Sequence, residues 1–240
     1  MALNLENIIL YLTARLRMEG PLRLDEELFK LFLSLPRDPL PEFRGSVPGV
    51  TGRGKDHPRY GRFMHAFVKF YKPELVVEVG TNAGGSAVGT ARALNENGSG
   101  NLVCVNIEGI PDIFPVTARM NIKAAGLDEK RFELICGDSR KVMPDLARRF
   151  PGKAGVYLVD GGHTFDNALS DIINGLPMMK RGGFILVHDI DKGFDMGAEK
   201  TSGHPYPVYE AFRKVADDLG FKWCILKFIR KHLGVIQVAA

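Results

Sequence analysis

Residues 75–87 read Leu-Val-Val-Glu-Val-Gly-Thr-Asn-Ala-Gly-Gly-Ser-Ala, and this stretch decides the fold expected for the chain. A β-branched apolar run that ends in a carboxylate and a glycine-rich turn is typical of a strand that leads into a helix. Gly80 and Gly84 have no Cβ, so the backbone there can approach a ligand closely. The N–H groups at the start of the following helix favour an anion. The stretch therefore predicts a nucleotide-type ligand site.

Two glycine motifs with known chemistry do not match this turn. The dinucleotide fingerprint G-x-G-x-x-G needs a glycine where the chain has Asn82, and a phosphate-binding P-loop needs a lysine after Gly85, where the chain has Ser86. What remains is the pattern E-x-G-x-x-x-G-G-S. A glycine turn that only connects a strand to a helix is the alternative interpretation.

The composition is that of a globular protein. The chain has 240 residues, of which 45% are hydrophobic, and this suits one α/β domain with an appendage. Its formal charge of +4 comes from basic residues mixed with acidic ones along the chain, which indicates a solvated surface.

The cysteines and the N-terminus predict a cytoplasmic protein. Cys104, Cys136 and Cys224 all fall in apolar runs and form no C-x-x-C pair, so we expect reduced thiols in the core. The apolar run near the N-terminus is interrupted by Arg15 and Arg17, which fits neither a signal peptide nor a membrane span. No export is expected.

From residue 75 onwards the pattern alternates between strand and helix. The predicted parallel strands are Leu75–Val79, Leu102–Ile107, Phe132–Cys136, Val156–Val159 and Phe184–Val187, followed by an antiparallel pair, Phe221–Leu226 and Leu233–Val238. The clearest helix is predicted over Phe165–Met179, with Gly182 and Gly183 ending it. The predicted fold is α/β, a doubly wound, mostly parallel seven-stranded sheet that binds ligands beyond the carboxyl ends of its strands.

Two amphipathic helices and a loop precede this alternation. Apolar spacing predicts one helix over residues 5–16 and another over residues 28–35, the second capped by Asp25. Residues 36–57 are rich in proline, glycine and arginine and predict a loop. We therefore divide the chain into an N-terminal extension, residues 1–57, and a main domain, residues 58–240. The extension is predicted to cover the substrate or to form a homodimer, and a plain linker is the alternative for the loop.

Acidic residues follow the predicted strands at the edge where a ligand would bind. Glu108 follows the second strand, where a carboxylate can accept hydrogen bonds from both ribose hydroxyls, although an exposed acid is the alternative. Asp138 follows the third strand and can either accept from an adenine amino group or cap the next helix. Asp160 and His163 follow the fourth strand, and Asp189 the fifth.

Several of these segments together resemble a known family. The glycine turn resembles the first motif of class I S-adenosylmethionine-dependent methyltransferases. The segments V-D-G-G-H (159–163), K-R-G-G-F-I-L-V (180–187) and H-D (188–189) resemble the small-molecule O-methyltransferases that include macrolide-sugar O-methyltransferases and cephalosporin-hydroxylase-like proteins. The resemblance covers residues 62–191. It implies a Rossmann-like methyltransferase fold and a cofactor, S-adenosylmethionine, held by Glu78, Gly80, Thr81, Gly84, Ser86, Glu108, Asp138, Ser139 and Asp160.

The resemblance also implies the reacting groups. In that family a divalent ion, here magnesium or manganese, is bound by the acids that correspond to Asp160 and Asp189, and His163 lies where a base is found. The chain departs from the pattern next to Asp189, because a second acid or amide is usual there and the neighbours are His188 and Ile190. His188 is thus either a third metal ligand or a buried, hydrogen-bonded histidine. Because magnesium prefers oxygen ligands, a histidine weakens the case for magnesium and leaves manganese, iron or no metal open.

The predicted function is methyl transfer from S-adenosylmethionine to a hydroxyl group of a small molecule, with no membrane or nucleic-acid partner. His163 and Asp160 are the predicted catalytic residues. Two alternatives stay open from the sequence. One is an NAD-dependent oxidoreductase of similar fold, and the other is an RNA-binding or RNA-methylating protein that uses the basic charge.

Overall fold

The computed structural model describes residues 18–36, 57–107, 112–192, 203–229 and 231–239. Within these ranges the strands are β1 (Met18–Glu19), β2 (Leu75–Val79), β3 (Asn101–Asn106), β4 (Phe132–Cys136), β5 (Ala154–Val159), β6 (Met179–His188), β7 (Lys222–Leu226) and β8 (Leu233–Gln237). The α-helices are α1 (Glu26–Ser34), α2 (His57–Tyr71), α3 (Gly85–Asn97), α4 (Ala118–Ala124), α5 (Ser139–Arg149), α6 (Phe165–Gly175) and α7 (Pro207–Asp218).

The strands form one sheet with the order β1-β7-β8-β6-β5-β2-β3-β4. Strands β2 to β6 pair in parallel, whereas β8 pairs antiparallel with both β6 and β7. This confirms the doubly wound sheet with an antiparallel C-terminal pair. The count of seven strands was wrong by one, because Met18 and Glu19 pair with Leu226 and Ile225 at the edge. Two residues are too few to carry a periodic pattern in sequence.

Both faces of the sheet are covered, as expected for parallel strands. All five residues of β2 are buried. On one face Val76 and Leu102 pack against α1 to α4, and on the other Val77 and Val103 pack against α5 to α7. Because helices bury both faces, ligands reach the sheet at its edges and strand ends.

Helix α1 packs into the same core as the main domain. Asp25 caps it by accepting a hydrogen bond from the Glu27 amide at 2.8 Å, which confirms the predicted cap. The Phe32 ring lies 5.9 Å from Phe63 on α2 and 5.6 Å from Phe228 beyond β7. The helix predicted over residues 5–16 and most of the loop, residues 37–56, lie outside the described residues. The division at residue 57 stays a prediction.

Helix α6 ends earlier than the sequence pattern indicates. It stops at Gly175, a short 3-10 turn covers Leu176–Met178, and β6 begins at Met179. Pro177 has no N–H to continue the helical hydrogen bonds, which explains the early end. The pair Gly182 and Gly183 consequently lies inside β6 and does not end the helix.

The cysteines differ in their exposure. Cys104 and Cys224 are buried and free, as predicted, whereas Cys136 is free but exposed. The prediction of a core thiol was wrong for Cys136 because β4 is the edge strand and Cys136 is its last residue.

Candidate active site

A cleft of about 420 Å³ opens at the carboxyl ends of β2 to β5. Residues that line it include Gly80, Asn82, Asn106, Ile107, Asp138, Ser139, Arg140, Asp160, His163 and Asp171. A second cavity of about 320 Å³ lies at the opposite ends of the strands, beside Glu74 and Lys153. Doubly wound sheets bind ligands at the carboxyl ends, so the first cleft is the candidate site.

The glycine turn lies where β2 and β5 approach each other most closely. The Gly80 amide donates to the Val105 carbonyl at 2.8 Å, and a Cβ on Gly80 would lie 1.8 Å from the carbonyl oxygen of Asp160. Its φ of +89° also belongs to the left-handed region. Gly84 has the same φ and caps the start of α3. A side chain at position 80 would therefore push the two strand ends apart.

Glu78 lies behind this turn and is fully buried. Its Oε1 accepts a hydrogen bond from the Ser86 hydroxyl at 2.6 Å. Burial raises the pKa of Glu78 to about 8, and the charge of Asp160 adds to this, although the Ser86 bond opposes it. Thr81 is buried beside it. Glu78, Thr81 and Ser86 thus support the turn from inside the protein, and their contact with a cofactor stays a prediction.

Asp138 caps the helix that follows β4. Its Oδ1 accepts a hydrogen bond from the Arg140 amide at 2.9 Å, and its Oδ2 lies 2.6 Å from the Arg140 guanidinium. These bonds lower the pKa of Asp138 to about 2. Of the two roles considered for Asp138, the structure shows the cap. Ser139 follows at the start of α5 and lines the cleft.

Position 108 lies outside the described residues, so its predicted contact with ribose stays a prediction. Asn106, the last residue of β3, lines the cleft in the described structure. Its Oδ1 accepts a hydrogen bond from the Asn82 amide at 3.1 Å, which ties β3 to the glycine turn. Asn106 was not predicted as a site residue, because the ribose contact was assigned to Glu108, two residues later.

Asp171 is a second residue that sequence reasoning missed. It lies on α6, is 1% exposed and lines the cleft. Burial raises the pKa of Asp171 to about 6, and the nearby Asp138 charge contributes to the rise. One sequence signal could have identified it: Asp171 lies on the same helical face as the apolar residues Ala168 and Ile172.

The reacting groups predicted from the strand ends do meet. Ligand atoms of Asp160, His163 and Asp189 all lie within 4.8 Å of one another. His163 Nε2 lies 2.7 Å from Asp189 Oδ2, and His188 Nδ1 lies 3.1 Å from a carboxylate oxygen of Asp160 and of Asp189. Asp160 follows β5 and His188 ends β6, so the neighbouring parallel strands bring these groups together.

Positive charge surrounds Asp189, which is 8% exposed. Burial opposes its ionisation, but the His163 hydrogen bond and the charges of His188 and Lys231 outweigh it and lower the pKa of Asp189. Burial likewise opposes the charged form of His188, yet Asp160 and Asp189 raise the pKa of that imidazole. Lys231 Nζ lies 3.3 Å from Asp189 Oδ2. The site therefore brings two carboxylates together with one ammonium group and two imidazoles.

Tyr60 completes one wall of this centre and was not predicted. Its ring stacks on His188, with centroids 4.3 Å apart and planes 7° from parallel. Burial and the Asp160 carboxylate raise the pKa of its hydroxyl well above 10. Helix α2 carries Tyr60 close to the sheet because Gly61 and Gly89 allow tight packing with α3, where a Cβ on Gly89 would lie 1.9 Å from the Gly61 carbonyl oxygen.

The donor set offers a divalent cation few oxygen ligands. Magnesium prefers six, several of which can be waters, and the cluster within the described residues offers two carboxylates and one imidazole. Next to Asp189 lies Ile190, which is 2% exposed and has no side-chain oxygen. The Lys231 ammonium group already contacts Asp189.

No helix among the described residues has the length and apolar character needed to cross a membrane.

Comparison with known proteins finds similarity to methyltransferases. Residues 77–190 match the model of a methyltransferase domain. Catechol O-methyltransferase of Mus musculus is 26% identical over 168 residues, which cover 66% of this chain and 61% of that protein. The chain thus spans about three fifths of that relative.

Solved structures show the shared fold. The S-adenosylhomocysteine-bound methyltransferase PaMTH1 of Podospora anserina has a TM-score of 0.64 at 15% identity, covering 100% of this chain and 98% of that chain. The O-methyltransferase TomG of Streptomyces achromogenes, in complex with S-adenosylmethionine, has a TM-score of 0.60 at 20% identity, covering 100% of both chains. The Rossmann-like methyltransferase fold is confirmed. These matches give no support to the oxidoreductase or RNA alternatives.

Proposed function

We propose that this chain, in which residues 77–190 form a class I S-adenosylmethionine-dependent methyltransferase domain, methylates a hydroxyl oxygen of a small molecule. One observation carries the proposal. Asp160, His163 and Asp189 meet near the glycine turn, and Asp160 and His163 line the cleft, which supports His163 as a base beside a cofactor bound there.

The cleft suits a ligand of this size, because small-molecule sites occupy roughly 300–1,000 Å³ and this one occupies about 420 Å³. When bound, S-adenosylmethionine supplies the methyl group, whose carbon bonds to the acceptor oxygen as its bond to sulfur breaks. The residues proposed to hold it are Glu78, Gly80, Thr81, Gly84, Ser86, Glu108, Asp138, Ser139 and Asp160. Their backbone and side chains orient the cofactor, and such positioning contributes on the order of 7–11 kcal/mol to reactions of this type.

His163 is proposed to take the proton of the acceptor hydroxyl. Its Nε2 faces Asp189 Oδ2 at 2.7 Å, and a proton on Nε2 leaves the lone pair on Nδ1. Asp189 then orients the ring and stabilises the imidazolium that forms. Asp160 lies across the same opening and lines the cleft. A positioned base of this kind contributes roughly 10²–10⁴-fold to turnover.

A divalent cation, magnesium or manganese, held by Asp160, Asp189 and His188 is the alternative source of positive charge at this centre. Donor atoms of Asp160, Asp189 and His163 lie within 4.8 Å of one another, and His188 Nδ1 lies 3.1 Å from both carboxylates, which favours it. The small number of oxygen ligands described above opposes it. This alternative predicts that a chelator abolishes turnover.

The function is tested in two stages. Calorimetry with S-adenosylhomocysteine measures cofactor binding, and a labelled methyl group reports transfer to a panel of catechols, sugars and other hydroxylated molecules. His163→Ala should then lower turnover roughly 10²–10⁴-fold and leave cofactor affinity unchanged. His65→Gln is the matched control, since His65 bonds Glu96 away from the cleft.

Two outcomes would contradict the proposal. Failure of the wild-type protein to bind either form of the cofactor would remove the methyltransferase function. Full turnover by His163→Ala with the true acceptor would move the base elsewhere, with His188 the next candidate.

The chain is further proposed to act in the cytoplasm as a homodimer. Three free cysteines are compatible with a reducing compartment. The dimer was predicted to use both N-terminal helices. Helix α1 packs into the core, so the dimer now depends on the helix predicted over residues 5–16, which lies outside the described residues. Light scattering that shows a monomer at every concentration would contradict the dimer.

A further inference from the structure

We infer that the ammonium group of Lys231 supplies the positive charge at the reaction centre and takes the place of a divalent cation. The inference rests on the proposed function, because it concerns the same carboxylates. It assigns a role to a residue outside every segment that carried the family resemblance.

The backbone places Lys231 at the centre through strand register. Leu233, the first residue of β8, pairs with His188, the last residue of β6. Lys231 precedes this pair by two residues, and its carbonyl accepts a hydrogen bond from the Asp191 amide at 3.0 Å. The turn between β7 and β8 is thereby fastened to the segment after β6.

The turn also has a conformation that few side chains adopt. Lys231 and His232 have φ values of +59° and +56°, and Asp189, which faces them, has +60°. Such backbone costs energy and persists where the surrounding contacts hold it. Here it directs Lys231 Nζ to within 3.3 Å of Asp189 Oδ2.

The chemistry of the neighbours favours an ammonium group over a metal. Asp189 is nearly fully buried, so its charge needs a cation close by. Its Oδ2 lies 2.7 Å from His163 Nε2 and 3.3 Å from Lys231 Nζ, and its Oδ1 lies 3.1 Å from His188 Nδ1. A divalent ion that bound Asp189 Oδ2 would have to displace the Lys231 ammonium group that already contacts this oxygen. Ile190, which is buried, offers no oxygen in exchange.

The consequence for catalysis is electrostatic. The Lys231 side chain is 30% exposed, and its ammonium group contacts Asp189. An acceptor hydroxyl that gives its proton to His163 develops negative charge, and a fixed cation close to that oxygen stabilises it. No metal is needed for this step.

The probe is manganese ion alone, and its binding to each protein is measured by calorimetry and by electron paramagnetic resonance. Lys231→Met removes the charge and keeps the length of the side chain, whereas Lys231→Arg keeps the charge. Lys227→Met is the matched control, because Lys227 pairs with Glu19 at 2.6 Å on the exposed edge of the sheet. A cooperative urea-unfolding transition of each variant reports that the domain is folded.

We expect the wild-type protein and Lys227→Met to bind manganese only in the millimolar range. Lys231→Met should bind it about ten-fold or more tightly, since a competing cation has been removed, and adding Asp189→Asn should abolish the gain. Turnover of the wild-type protein should be unchanged by a chelator.

Micromolar manganese binding by the wild-type protein that Asp189→Asn abolishes would overturn the inference. So would a folded Lys231→Met variant that binds manganese no more tightly than Lys227→Met. The wild-type titration decides the question even where Lys231→Met does not fold. Loss of S-adenosylhomocysteine binding by the wild-type protein would instead contradict the proposed function, and the manganese comparison would still be readable.

Discussion

Replacing Glu78 with glutamine should change how the stability of the protein depends on pH. Glu78 is fully buried, and its pKa of about 8 in the folded state compares with 4.5 as its ordinary value. Glutamine has the same shape and can still accept the Ser86 hydrogen bond, but it does not ionise. The variant therefore isolates the cost of ionising this one carboxyl group.

The sign follows from proton binding in the two states. Below pH 4.5 the carboxyl group is protonated both in the folded and in the unfolded protein. Between 4.5 and about 8 only the folded state keeps the proton, so the free energy of unfolding falls as the pH rises. One proton corresponds to about 1.4 kcal/mol per pH unit, or about 2.7 kcal/mol between about pH 5.5 and about pH 7.5.

Urea unfolding of the wild-type protein and Glu78→Gln, without cofactor, measures this difference at the two pH values. Glu78→Gln should gain about 2.7 kcal/mol relative to the wild-type protein on going to the higher pH. Any effect of the amide on stability that is the same at both pH values cancels in that comparison. The control is Glu133→Gln, which breaks a half-exposed pair with Arg149 and should change stability by less than about 1 kcal/mol. An equal difference between wild-type protein and Glu78→Gln at both pH values would refute the reasoning.

Three further substitutions test the turn, the ribose contact and the helix cap. Gly80→Ala should lower the free energy of unfolding by about 3 kcal/mol or more because its Cβ meets backbone. Gly98→Ala, with a positive φ but nothing within 4 Å, should cost only about 1–2 kcal/mol in the same urea experiment, and equal losses would contradict the steric argument. In calorimetry, Glu108→Ala should weaken cofactor binding about ten-fold or more. If Glu108→Ala binds the cofactor as tightly as the wild-type protein and Asn106→Ala binds it more weakly, the ribose contact belongs to the Asn106 amide. Asp25→Ala should destabilise the protein by about 1 kcal/mol, measured by urea unfolding, and no loss would show that the 2.8 Å cap bond contributes nothing.

The sheet and five of the residues that line the cleft could be predicted from the sequence alone: Gly80, Asp138, Ser139, Asp160 and His163. The alternation of strand and helix, together with right-handed crossovers, brings the carboxyl ends of neighbouring parallel strands to one edge. Asp160 and Asp189 could therefore be placed together from their positions after two strands, and His163 from its place three residues beyond Asp160. The glycine turn was equally predictable, because local backbone chemistry restricts the residues that can form it.

Only the tertiary structure decided which other groups surround those carboxylates. Tyr60 comes from helix α2, before the parallel strands, and Lys231 comes from the turn between β7 and β8. Neither belongs to a local sequence pattern with Asp189. Asp171 looked like an ordinary helical residue until the packing of α6 buried it beside the cleft. Contacts between residues far apart in sequence depend on strand register, helix packing and burial, which periodicity in the sequence does not encode. The charge balance of the reaction centre, and with it the case for an ammonium group over a metal, follows from those long-range contacts.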